Sequence, residues 1–114
     1  MKSIKALMLM LVISSAAVVL PASAANSGAD IFASKCAMCH GANGQGTPGL
    51  APALKGDPFV TKGSIKEIEN TIQHGRAGAQ KKYKNLPTDM PAHDLSAADL
   101  KALVGYLRGD LQKK

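Results

Sequence analysis

The stretch Cys36-Ala37-Met38-Cys39-His40 decides how the rest of the chain is read, and it holds both of the chain's 2 cysteines. Two thiols three positions apart lie on one turn of a helix. There they can add across the two vinyl groups of a single haem. The His that follows brings a neutral imidazole to the same side, and haem iron takes such a nitrogen as its proximal ligand. The C-x-x-C-H spacing therefore reads as covalent haem attachment. Other chemistries use parts of this pattern. A bare C-x-x-C serves thioredoxin-like redox sites, but no strand run precedes Cys36 to supply their βαβ setting. A structural zinc site takes four Cys or His ligands; the remaining histidines, His74 and His93, lack finger spacing. In an exported protein the pair could also close a disulfide, against which stand His40 and the later Met90.

The N-terminal segment reads as an export signal. Lys2 and Lys5 precede an apolar run over residues 6–20, broken only by Ser14 and Ser15, and Pro21-Ala22-Ser23-Ala24-Ala25 then supplies small residues. This is the layout of a secretory signal peptide. Cleavage after Ala24 and cleavage after Ala25 fit equally. The run is shorter than the ~20 residues that span a bilayer, and Pro21 follows it, so no stable membrane insertion is expected. No Cys lies near the cleavage region to carry a lipid. Residues 1–24 are thus assigned to the signal peptide and 25–114 to one domain of about 90 residues.

A domain of that size buries a limited core from its own side chains, and the whole chain has 2 Phe, 2 Tyr and no Trp. A haem would supply the missing apolar body. The formal charge is +6 for the full sequence and +4 without Lys2 and Lys5. Nucleic acid is the usual partner of a basic protein, but export and the lack of a binding motif exclude it here.

Three helices are predicted. Residues 26–37 form the first, with Ser27 and Asp30 arranged like a capping box; Gly28, Phe32 and Cys36 share its face. Residues 64–74 form the second, boxed by Ser64 and Glu67, with Ile65, Ile68 and Ile72 on one side and Gly75 as the stop. His74 in its last turn favours the helix dipole when charged. Residues 96–108 form the third, boxed by Ser96 and Asp99, with Leu95 and Leu100 as a staple. Its apolar stripe is Leu100, Leu103, Val104, Leu107 and Leu111. Residues 41–49 are glycine-punctuated irregular backbone, residues 50–54 an extended apolar stretch, and residues 77–94 a loop.

A six-coordinate haem needs a second ligand opposite His40. Met8 and Met10 leave with the signal, and Met38 is pinned on the His40 side by its flanking cysteines. Met90 sits in a loop, which can aim a thioether, and Pro91 stiffens its exit. His93 is the rival ligand; otherwise it reads as an exposed polar residue ahead of the last helix.

With these parts in place, residues 25–114 resemble a class I c-type cytochrome, a small soluble monohaem bacterial cytochrome c. The resemblance rests on Gly28-x-x-x-Phe32-x-x-x-Cys36, Cys36-Ala37-Met38-Cys39-His40, Met90-Pro91 and Leu103-x-x-Tyr106. It implies an all-α cytochrome c fold, about three main helices plus loops wrapped around one haem c held by two thioethers from Cys36 and Cys39. His40 and Met90 would be the metal ligands. It implies that Gly28 and Phe32 meet Leu103 and Tyr106, and that a Pro carbonyl receives the His40 hydrogen bond, Pro52 first and Pro48 second. The family's haem-packing Trp has no counterpart, and Arg76 is the one residue named for a propionate contact. The implied activity is that of a periplasmic one-electron carrier, not an enzyme. It would be a monomer meeting redox partner proteins near the exposed haem edge. Lys81, Lys82 and Lys84 offer either a patch for acidic partners or a solvated loop face. The alternative function is a haem enzyme or small-ligand-binding haem protein with a labile sixth ligand.

Overall fold

A computed structural model describes residues 13–17 and 26–114. The signal-peptide reading falls mostly outside the described residues, as do Ala24 and Ala25, after which cleavage is expected. Among the described residues the α-helices are α1 (Gly28–Lys35), α2 (Ala37–His40), α3 (Pro58–Lys62), α4 (Ile65–His74) and α5 (Ala97–Arg108), with short 3-10 turns at Gly78–Gln80 and Asp110–Lys113. Among the described residues there is no strand, only isolated bridges pairing Thr47 with Ala51 and Arg76 with Met90.

The three helix starts follow from their caps. Ser27 Oγ accepts from the Asp30 amide at 3.1 Å, Ser64 Oγ from Glu67 at 3.2 Å and Ser96 Oγ from Asp99 at 3.1 Å. Each satisfies one of the amides that a helix start leaves without a partner. The first helix departs from expectation, because it does not run unbroken to Ala37. Cys36 ends α1, donating its amide to the Phe32 carbonyl at 2.9 Å, and its own carbonyl then receives the His40 amide at 2.9 Å. Just upstream, the Ser34 hydroxyl donates to the Ile31 carbonyl at 3.2 Å, a back-bond of the kind that bends helices. The break places Cys39 and His40 in a separate short helix, α2.

Helix α3 lies in a stretch for which no element is predicted. Asp57 caps it, accepting from the Phe59 amide at 2.8 Å, and Pro58 takes the first helical position, where its missing N–H costs nothing.

The core joins Ile31 and Phe32 of α1, Val60 of α3, Ile68 and Ile72 of α4, and the predicted α5 stripe with Leu95 and Leu111. Ile65, placed on the same side as Ile68 in the sequence reading, is 54% exposed. The first and last helices cross where Gly28 faces α5. A Cβ on Gly28 would collide with the Ala102 carbonyl oxygen and stand 2.6 Å from Tyr106 Cβ. One turn on, the Phe32 and Tyr106 rings lie 5.5 Å apart, tilted by 49°, within the range of favourable aromatic pairs. Gly28 thus meets Ala102 and Tyr106, and Phe32 shares the core with Leu103. Leu103 also lines a cavity.

Candidate functional site

That cavity encloses about 1170 Å³ of empty space, mouth included. Val60, Ile68, Ile72, Leu103 and Leu107 give it apolar walls, and Cys36, Cys39, His40 and Met90 also line it. The four predicted site residues therefore come together around one void.

The wall carrying the cysteines is set by α2 and the loop behind it. His40 Nδ1 lies 2.8 Å from the Pro52 carbonyl oxygen. A carbonyl only accepts, so Nδ1 donates its proton there, and in the neutral imidazole the lone pair then lies on Nε2. This is the tautomer that can ligate a metal, with its ring orientation held from behind. Pro52, not Pro48, is the partner, because the loop folds back on α2. The Gly46 amide donates to the His40 carbonyl at 2.7 Å, Thr47 and Ala51 exchange bonds at 2.9 and 3.1 Å, and the Leu54 amide reaches the Gly44 carbonyl at 2.8 Å. Gly46 sits at φ +80°, and a Cβ there would lie 2.6 Å from the Ala53 nitrogen. Only glycine fits both demands.

Both cysteines are free thiols, half-buried at the cavity. Burial pushes the Cys36 thiol up to about 11, with Cys39 adding to the rise and Lys35 opposing it. A thiol-exchange site needs the reverse, a thiolate stabilised near neutral pH. Among the described residues no group of three His, Cys, Asp or Glu gathers to hold a metal ion, which leaves the zinc alternative without a ligand set there.

The Met90 wall is anchored to the end of α4. The Arg76 amide donates to the Met90 carbonyl and the Met90 amide to the Arg76 carbonyl, both at 2.9 Å. Gly75, at φ +67°, makes this possible. A Cβ there would collide with the Met90 carbonyl oxygen and stand 2.7 Å from the Pro91 carbonyl carbon. Sequence reasoning found Gly75 as a helix stop and missed this second role. Arg76 also lines the cavity; its guanidinium donates to Thr71 Oγ1 at 3.1 Å and stacks 4.9 Å over the Phe59 ring.

Two sequence readings change here. His93 is half-buried at the cavity, not exposed, because its amide donates to the Ile72 carbonyl at 2.9 Å and draws it inward. Burial first, then the charges of Lys35 and His40, lower its pKa. Lys81 is turned in, with a side chain only 14% exposed, so it is no part of an open lysine patch; Lys82 and Lys84 are exposed. Met38 is 86% exposed and does not line the cavity. His74 is exposed on α4, its Nδ1 3.1 Å from the Asn70 carbonyl.

An apolar void edged by two thiols, one lone-pair imidazole nitrogen and one thioether fits a flat apolar macrocycle whose iron takes nitrogen and sulfur ligands. The cytochrome c family profile matches residues 25–109. The chain belongs to the cytochrome c family. Membership implies a haem c and electron transfer by it.

Curated relatives of this cytochrome are subunits of larger systems. The FixP subunit of the cbb3-type cytochrome c oxidase of Azorhizobium caulinodans is 38% identical over 80 residues, 68% of this chain and 26% of that subunit. The CcoP subunit of the corresponding oxidase of Rhodobacter capsulatus is 32% identical over 84 residues, 73% of this chain and 28% of that subunit. The cytochrome c subunit of the quinone alcohol dehydrogenase of Gluconacetobacter polyoxogenes is 30% identical over 83 residues, 71% of this chain and 18% of that subunit. The chain thus spans under a third of the length of these relatives. In fold, it resembles the solved c-type cytochrome KustC0563, with a TM-score of 0.53 and 23% identity over 74% of this chain and 96% of that one.

Proposed function

We propose that this cytochrome is a periplasmic one-electron carrier. It holds one haem c through thioethers from Cys36 and Cys39, with His40 and Met90 as the iron ligands. The observation that carries the reading is the His40–Pro52 bond of 2.8 Å in a cavity that Met90 also lines. That bond holds the imidazole ring from its Nδ1 side and leaves Nε2 for the iron, and the bridge to Arg76 presents Met90 from a separate segment. Haem c, when bound, supplies reversible one-electron iron chemistry, and His/Met ligation raises its potential. The chain's own residues keep the site dry, orient the ligands and leave no open position for a substrate.

Residues 1–24 act as the export signal in this reading, and residues 25–114 as the monohaem domain. No helix among the described residues is long and apolar enough to cross a membrane. Partners are redox proteins docking near the haem edge, through a weak, fast interface. The exposed Lys82 and Lys84 favour acidic ones. The oxidase and dehydrogenase relatives suggest complexes of that kind. Intact mass of the periplasmic protein tests the reading. A mass for one haem plus a chain starting at Ala25 or Asn26 is expected. An apo mass with a Cys36–Cys39 disulfide, or retention of residues 1–24, would contradict it.

A further inference from the structure

Lysine is almost never buried without partners. Lys81 is one of the better-buried charges of this molecule, with a side chain only 14% exposed, and its partners are specific. Its ammonium donates to the Leu86 carbonyl and stands 3.5 Å from Asp89 Oδ1. Both partners lie downstream on the same loop, and Asp89 immediately precedes Met90. Lys81, Leu86 and Asp89 all line the haem cavity together with Met90.

The rest of this loop is tied elsewhere. The Leu86 amide closes a turn onto the Tyr83 carbonyl at 3.2 Å, and Tyr83 donates its hydroxyl to Asp57 at 3.2 Å in an exposed contact. Neither holds residues 87–89. The Arg76 bridge fixes the main chain at Met90 from the C-terminal side of α4. The approach to Met90 from residue 86 onward is held by Lys81. Lys66 on α4 is different in kind: it is exposed and does not line the cavity.

We propose that Lys81 is a positioning residue for the Met90 thioether, closing the loop of residues 81–89 from within so that Met90 stays on the iron. This rests on the Met90 ligation proposed above. A thioether is a weak ligand, and an added ligand competes with it for the same position. The apparent affinity of that competitor scales with the fraction of protein whose site is open. Loosening residues 86–89 raises that fraction while leaving the Cys36–His40 side untouched.

The test uses haem-loaded protein. Imidazole is titrated into ferric wild type, Lys81→Met, Lys81→Arg and Lys66→Met, following the weak far-red thioether-to-iron band, with thermal unfolding of each protein alongside. Lys81→Met should bind imidazole about tenfold more tightly than wild type and show a weakened band. Lys81→Arg, which can still reach the carbonyl and the carboxylate, should restore most of both. Lys66→Met should match wild type. Unchanged imidazole affinity in Lys81→Met, or an equal effect from Lys66→Met, overturns the proposal, as does failure of Lys81→Arg to restore the band. If Lys81→Met does not load haem, Asp89→Asn decides. A smaller rise in affinity supports the role of Lys81, and none refutes it. A wild type without the far-red band would instead refute Met90 ligation itself, so the two failures are distinguishable.

Discussion

On one side of the cavity Cys36, Cys39 and His40 come from five consecutive residues, and the partner of His40 lies 12 residues on at Pro52. On the other side Met90 comes from a loop, and the chain that holds it in place is Gly75-Arg76. The first wall is short-range and built on helical hydrogen bonds. The second is a longer loop closure, whose ordering costs more conformational entropy and is offset by two backbone bonds and one inward lysine. Attachment and ligand exchange should therefore separate. Damage to the first wall should abolish the folded holoprotein, and damage to the second should leave the haem attached and loosen its sixth ligand.

The largest effect expected is from Cys36→Ala with Cys39→Ala. A domain of about 90 residues has a limited core of its own, so the double variant should show no cooperative transition by calorimetry. A cooperatively folded apo protein would break the comparison at its first wall. Next is Phe32→Ala, at the α1–α5 crossing that backs Cys36. Removing this fully buried ring should cost ~3–5 kcal/mol, read from the denaturant midpoint of the holoprotein, with the far-red band intact below the transition.

Gly75→Ala should cost ~1–3 kcal/mol, less than Phe32→Ala, but should weaken the far-red band where Phe32→Ala does not. It imposes a Cβ at φ +67° against the Met90 carbonyl. An unaltered band would show that Met90 does not depend on that approach. The smallest effect expected is from Pro52→Ala. The bond to His40 uses the carbonyl, which survives the substitution, so only the stiffening by the ring is lost, ~0.4–1 kcal/mol, with an unchanged visible spectrum.

The same contrast governs what could be read from the sequence. The three caps and the α5 stripe were legible because each is a local pattern of spacing. The Cys36–His40 motif is local too, and Pro52 followed from family resemblance. The break at Cys36 was not legible, since nothing in residue spacing distinguishes one helix from two that share a cap. Helix α3 is announced by Asp57-Pro58, a cap followed by a favoured first residue, in a stretch too short to show periodicity. The inward turn of Lys81 and His93 depends on partners at Leu86, Asp89 and Ile72. In composition their segment looks like any solvated loop. The pairing of Arg76 with Met90 is a single bridge, without the alternation that marks a strand.

The measurement that bears most directly on the account is the far-red absorption of the ferric holoprotein, compared between wild type and Met90→Ala. The account predicts the thioether-to-iron band in wild type, its loss in Met90→Ala, and a haem that remains covalently attached by mass in both. It also predicts that Met38→Leu and His93→Ala keep the band. A band that survives in Met90→Ala, or that disappears in His93→Ala alone, would contradict it.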